Sequence, residues 1–297
     1  MKKFMLATLS VIVIAGCVKD IVYEDQPVLI LFDAGISAVN TRAPIVSSGG
    51  LPTSPITGIQ ILRAADIASS PDWTAVSSVA TTADVSTAGA VSPTTTQYYN
   101  ANPSLNAWFM AYYPSGAITA NKVNWTITGQ EDIIVAPSVG AGNKSSPTTA
   151  TLAFAHKLTQ LQFYVKAASP TAITQWGTLS SIKVNADTAL ELTLSTNTLA
   201  SNSTPVNTDL TTSGSFPFTM TTSEAAVGVI MVKPGDLGTI KVTTANSPEQ
   251  SVGITGLSTT VAGSAHKITL TFNELGGITF TATLTDWATG TAGTGTL

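Results

Sequence analysis

Few side chains in this chain are of a type that does chemistry. It has two histidines, His156 and His266, and a single cysteine, Cys17. His156 closes the alternating run Leu152-x-Phe154-x-His156, and His266 opens the run His266-Lys267-Ile268. Both settings are those of a strand histidine, hydrogen-bonded or exposed. Two isolated imidazoles do not make a structural zinc site, which takes four Cys or His ligands. Two pairs of carboxylates are neighbours, Glu24-Asp25 and Glu131-Asp132. Neighbours in an extended chain point to opposite faces, so neither doublet forms the facing pair that acid-base hydrolysis requires. There is no G-x-S-x-G, no H-E-x-x-H, no P-loop and no dinucleotide fingerprint. The expectation is a chain with no catalytic residue, no metal and no cofactor, hence not an enzyme.

Cys17 is informative for its place. Met1-Lys2-Lys3 is a short basic start, Phe4 to Ala15 is apolar apart from Thr8 and Ser10, and Ile14-Ala15-Gly16 leads into Cys17. That is an export signal with a small residue before the cut, and its apolar stretch is shorter than the roughly 20 residues that span a bilayer. Ile14-Ala15-Gly16-Cys17 resembles the lipobox of bacterial lipoproteins, in which the cysteine becomes residue one and is acylated. Residues 1–16 are therefore read as the signal and Cys17 as the lipidation site. More than one acyl chain would make the anchor firm, since a single chain binds only marginally. Lys19 and the acidic residues Asp20, Glu24 and Asp25 soon after Cys17 loosely resemble a surface-export tether, which would place the chain on the outer face of the outer membrane.

The elements follow from composition and alternation. Of 297 residues, 43 % are hydrophobic and only 10 % charged, with a net charge of −4. The charged fraction is well below the usual quarter, and Thr, Ser, Ala and Gly fill the gap, which suits strands joined by small-residue turns. Without clustered Lys and Arg there is no footprint for nucleic acid. No long segment carries the helical period. Alternating or β-branched runs recur instead, among them Val28–Phe32, Ile56–Leu62, Ala107–Tyr113, Thr151–Val165, Val227–Val232, Ala265–Phe272 and Ile278–Leu284. This is an all-β sandwich pattern. The Pro-, Gly- and Ser-rich stretch from Pro137 to Pro147 reads as a linker, giving a division near residue 148 into an N-terminal sandwich (43–148) and a C-terminal one (149–297). The polar stretch from Ser201 to Ser215 reads as a surface loop of the second sandwich, or as the boundary itself.

The chain has two arginines, Arg42 and Arg63. Arg42 stands in Thr41-Arg42-Ala43-Pro44, between the apolar run Val28–Phe32 and the stretch Ser47-Ser48-Gly49-Gly50, a setting open to proteolysis.

Taken in order, these landmarks resemble the fimbrillin family, the subunits of type V pili of anaerobic Gram-negative bacteria. The matching residues are the lipobox, Thr41-Arg42-Ala43 and the aromatic strand ending in Tyr112-Tyr113-Pro114. Next come Asp132-Ile133-Ile134-Val135-Ala136 and Leu152-x-Phe154-x-His156-Lys157-Leu158, running into Leu161-x-Phe163-x-Val165. Last are Gly276-Gly277-Ile278-x-Phe280 to Leu284 and Asp286-Trp287. They span nearly the whole chain.

The resemblance implies two tandem transthyretin-like β-sandwich domains after a lipoprotein signal peptide. It implies a lipidated pro-segment (17–42) cut between Arg42 and Ala43 by an arginine-specific or trypsin-like protease, after processing by the lipoprotein machinery. The cut would release the first strand, Val28, Leu29, Ile30, Leu31 and Phe32, and a strand of the next subunit would fill the groove, head to tail. Val28–Phe32 is apolar on both faces, which suits a strand buried in a groove. Pro44, two positions past the scissile bond, departs from an ideal cleavage site.

The donor candidate is Ile278, Phe280, Ala282 and Leu284, which alternate with threonines; an ordinary last strand of the second sandwich reads equally well. The function expected is a shaft, accessory or tip subunit of an adhesive fimbria, anchored through lipid on Cys17 before assembly. The alternative is a non-polymerising surface lipoprotein that binds glycan or host protein, with Trp73, Trp176 or Trp287 as stacking platforms.

Overall fold

The computed structural model describes residues 26–36, 45, 47–235, 238–252, 260–274 and 277–286. Its strands are β1 (Phe32–Ile36), β2 (Ile56–Arg63), β3 (Thr81–Val85), β4 (Val91–Pro93), β5 (Trp108–Tyr113), β6 (Ala117–Thr119) and β7 (Lys122–Thr126). They continue as β8 (Ile134–Gly140), β9 (Ala150–His156), β10 (Thr159–Ala167), β11 (Leu179–Asp187), β12 (Ala189–Thr193) and β13 (Thr198–Ser201). The last are β14 (Asn207–Thr211), β15 (Ser213–Gly214), β16 (Ala225–Val232), β17 (Ile240–Thr244), β18 (Gln250–Val252), β19 (Ser264–Phe272) and β20 (Ile278–Asp286). Two-residue ribbons pair Ser47–Ser48 with Leu51–Pro52 and Gly142–Asn143 with Ser146–Pro147. The fold is all-β apart from short helical turns, as the alternation predicts.

Four sheets organise the chain. The first has the order β1-β9-β8-β5-β2-β3-β4, and a second joins β13-β12-β7-β6. The third runs β15-β16-β10-β19-β20 and the fourth β14-β11-β17-β18. The period-2 alternation of each strand sets its faces. In β5, Phe109 and Ala111 enter one core with Ile59, Ile61, Leu152 and Phe154, while Met110 and Tyr112 enter a second with Leu62, Val123, Trp125, Leu190 and Leu192. The first sheet thus lies between two apolar cores, which is why Ala107–Tyr113 is apolar without a break. The third and fourth sheets enclose the remaining core, built on Phe163, Ile182, Val184, Ile230, Val242, Ile268, Leu270 and Phe272.

Several elements differ from the sequence reading. The stretch from Pro137 to Pro147 is built into the first half: β8 continues to Gly140, with a register shift between Ala136 and Val139, and a small hairpin follows around buried Ala141. Prolines and glycines there serve a bulge and a tight ribbon, features that share a linker's composition. Beyond residue 148, β9 stays in the first sheet, and the chain crosses to the third sheet at Lys157–Leu158. Ala189–Thr193 (β12) then returns to pair with β7 of the first half, and Thr198–Ser201 (β13) pairs with β12. Within the polar stretch Ser201–Ser215, Asn207–Thr211 is a strand whose residues register with Lys183–Asp187. A helix, α1 (Pro170–Trp176), is capped by the Ser169 hydroxyl accepting from the Ala172 N–H at 3.2 Å, starts on Pro170 and ends at Gly177. Its seven residues are too few to declare a 3.6-residue period.

Candidate functional site

The segment from Val28 through β1 is bonded on both sides. On one side β1 pairs in parallel with β9, from Phe32 opposite Ala150 to Ile36 opposite Phe154. The Ala150 N–H donates to Leu31 O at 2.9 Å. On the other side the Ile30 N–H donates to Gln97 O, the Tyr99 N–H to Val28 O and the Ala34 N–H to Gly89 O, each at 2.9 Å. The segment therefore closes the gap between the two ends of the first sheet. Gly89 has φ +81°, and a Cβ there would lie 2.6 Å from Ala34 O, so the turn can meet the strand this closely only with glycine.

Its inward residues are Ile30, Phe32, Ala34 and Ile36, all buried, and Phe32 meets Phe109 edge-on with ring centroids 4.8 Å apart. Burying each large apolar side chain is worth roughly 1.5–3 kcal/mol, so the strand is held mainly by its side chains. Leu29 and Leu31 face outward and are exposed. The first strand is therefore buried on one face only, and its paired part extends to Ile36. Its double-sided apolar sequence suggests burial of both faces, whereas one face is exposed.

A cluster around Arg63 holds the opposite wall. The guanidinium donates to both Asp66 carboxylate oxygens at 3.1 and 2.8 Å, to Gln97 Oε1 at 3.3 Å and to Tyr98 O at 2.9 Å. It lies over the Phe109 ring, 5.4 Å from the centroid. The Tyr99 hydroxyl donates to Ala141 O at 2.7 Å, tying the wall to the 142–147 hairpin. Sequence reasoning passed over Arg63. Only its pairing three residues from Asp66, at the end of a strand, could have marked it.

The histidines and carboxylates are dispersed. His156 Nδ1 lies 3.0 Å from Asp132 Oδ1, both side chains buried, and β8 and β9 bring them together by setting Ile134 opposite His156. His266 is buried, and among the described residues neither of its ring nitrogens has a hydrogen-bond partner; burial pushes its pKa down. Burial also pushes Glu131 up, but bonds from the Thr128 N–H, the Thr128 hydroxyl and the Gln130 N–H outweigh it and leave the carboxyl below its usual range. Lys157, half-buried and lowered by burial, donates to Asn197 O at 2.9 Å. Tyr112 is pushed up to about 12 by burial. Among the described residues, no three His, Cys, Asp or Glu side chains form a metal-ligand group.

Trp73 and Trp176 are both buried, and Trp176 Nε1 donates to Asn273 O at 2.8 Å, so neither offers a stacking face. Trp287, Cys17, Arg42 and Ala43 lie outside the described residues. Ile278, Phe280, Ala282 and Leu284 belong to β20, an edge strand that pairs antiparallel with β19 from Ile278 opposite Phe272 to Asp286 opposite Ser264.

A family model described as fimbrillin-like matches residues 57–287. Among solved structures, a candidate cell adhesion protein from Bacteroides uniformis ATCC 8492 is 18 % identical, with a TM-score of 0.61 over 88 % of this chain and 99 % of that one. Another candidate cell adhesion protein, from Bacteroides ovatus ATCC 8483, is 19 % identical, with a TM-score of 0.60 over 89 % of this chain and 99 % of that one. At this identity the likeness is one of fold. No match is found among curated proteins.

Proposed function

Because the chain belongs to the fimbrillin-like family, we propose that it is a structural subunit of an adhesive cell-surface fimbria, shaft or accessory/tip, exported as a lipoprotein and assembled by strand exchange. The observation that carries this reading is the first strand. It is bonded at both edges and buries alternate apolar residues in the first core. It is joined to the rest of the chain through a stretch that contains Arg42.

In the proposed sequence of events, Cys17 is acylated and holds the precursor at the outer membrane. A protease with arginine specificity cuts between Arg42 and Ala43. The strand then leaves with the lipid, and the vacated groove exposes Phe109, Leu152 and Phe154 along with two rows of unpaired backbone groups. An open apolar groove of this kind is an aggregation hazard until filled. A neighbour's strand fills it when its apolar residues recur at every second position, matching Ile30, Phe32, Ala34 and Ile36. Ile278, Phe280, Ala282 and Leu284 have that spacing, and an edge strand breaks only one ladder on leaving. Head-to-tail contacts of this kind propagate as an open filament.

The test is the N-terminal sequence of protein recovered from the native cell surface. A start at Ala43 in high-mass fibres that give a denaturant-resistant ladder is the expected result. A start at acylated Cys17 in every molecule would overturn the polymerising subunit.

A further inference from the structure

The first strand has an outer face that strand exchange does not use. Leu29 is 46 % exposed and Leu31 58 %, and Tyr98, bridged to Leu29 across the sheet edge, is 45 % exposed. Residues two apart share a face of a strand, so the leucines stand side by side. Between the bridge at Leu29 and the next at Asp33–Ala90, the strand parts from the segment beside it. The hollow there holds about 300 Å³ and is lined by Leu29, Leu31, Val91, Pro93, Thr96 and Gln97. Near the patch lie Asp33 on the strand and Arg63, whose guanidinium reaches Gln97 Oε1 and Tyr98 O and is neutralised by Asp66; no Asp, Glu, Lys or Arg occurs from Val85 to Asn121.

Chain length limits how far this patch can lie from a lipid on Cys17. The described fold begins at Gln26, and Leu29 is twelve residues past Cys17. Twelve residues reach at most about 40 Å when fully extended, so an acyl anchor on Cys17 keeps the patch within one molecular diameter of the lipid surface. We infer that Leu29, Leu31 and Tyr98 dock on that lipid surface. The leucines enter the acyl boundary and the Tyr98 phenol sits at headgroup level, the usual place of an amphipathic ring. The inference rests on the lipoprotein reading. It has a consequence for processing: a cut after Arg42 removes Leu29 and Leu31 together with Cys17, so one cleavage releases both holds on the membrane.

The test couples the chain from Cys17 onward, through its sole thiol, to a maleimide lipid. The vesicles are phosphatidylethanolamine and phosphatidylglycerol with a photoactivatable phospholipid. Lipid adducts should concentrate on the peptides around 26–33 and 90–98. They should fall severalfold in the Leu29→Ser/Leu31→Ser chain at unchanged melting temperature, because both side chains face outward. Adducts spread evenly over the surface, or indifferent to the double substitution, would overturn the docking. So would a wild-type dimer in sedimentation that the double substitution dissolves, since the patch would then cover itself. The chemical tether works whether or not cells acylate Cys17. Failure of a palmitate analogue to label Cys17 in cells would therefore count against the lipoprotein reading separately.

Discussion

At Arg63 one guanidinium holds three pieces of the groove wall: the end of β2, Asp66 just beyond it, and the Gln97–Tyr98 stretch whose backbone bonds the first strand. The fork geometry matters as much as the charge. Arg63→Lys should therefore lose most of what Arg63→Ala loses, about 1–3 kcal/mol in a denaturant titration; full recovery by lysine would show that charge alone suffices. The same engagement, with Arg63 in register opposite Phe109 of β5 and the Ala64 N–H donating to Trp108 O, shields the Arg63 peptide bond. An arginine-specific protease added to folded protein should leave 63–64 intact, as mass spectrometry of the products would show. His266 gives a pH dependence whose sign is fixed. Burial holds its folded pKa below the ordinary 6.5, so below that value the unfolded chain takes a proton that the folded chain refuses. Stability must then fall as pH drops through 6.5 toward the folded value. Denaturant midpoints at pH 7 and pH 5 should differ less in His266→Leu than in the parent.

At the level of elements, the alternating strands were legible and the parity of the first strand was not. In β9 and β10 the pattern alone places Leu152, Phe154, Leu161 and Phe163 inside. Val28-Leu29-Ile30-Leu31-Phe32 is apolar at every position, so period 2 has nothing to act on. The inward set is decided by the register with β9 and by Gly89, both far off in sequence. Strand Asn207–Thr211 was hidden because its pairing with β11 is polar: Asn185 Nδ2 donates to Asp209 Oδ1 at 2.8 Å, and Lys241 reaches Asp209 from β17. The Asp132–His156 pair was illegible because its partners are 24 residues apart. The parity is testable on adjacent positions. Ile30→Ser should cost about 2–4 kcal/mol through lost burial and a buried hydroxyl, while Leu31→Ser should stay within about 0.5 kcal/mol. Equal costs in thermal or denaturant unfolding would refute the assigned faces.

Across the whole molecule, the middle core decides how the two halves behave. It joins Leu62, Met110, Tyr112 and Val123 of the first half to Leu190, Leu192, Met231 and Ala265 of the second. Its four-stranded sheet draws β6 and β7 from one side of residue 148 and β12 and β13 from the other. A fragment that starts at 149 would carry β9 without β1 and β8, and β12 without β7, leaving strand edges unpaired and Leu190 and Leu192 uncovered. The halves should therefore not separate cleanly at that point, and unfolding should be coupled across it. The expected calorimetric trace is a single transition with a van't Hoff enthalpy close to the calorimetric one. Leu192→Ala should lower the whole transition rather than split it, at a cost of about 2–5 kcal/mol. Two resolved transitions, with only one displaced by the substitution, would mean that the middle core packs the halves together without making them fold as one. For a fibre subunit the coupling has a consequence: removing the first strand would weaken the second half as well as the first, and filling the groove would restore both.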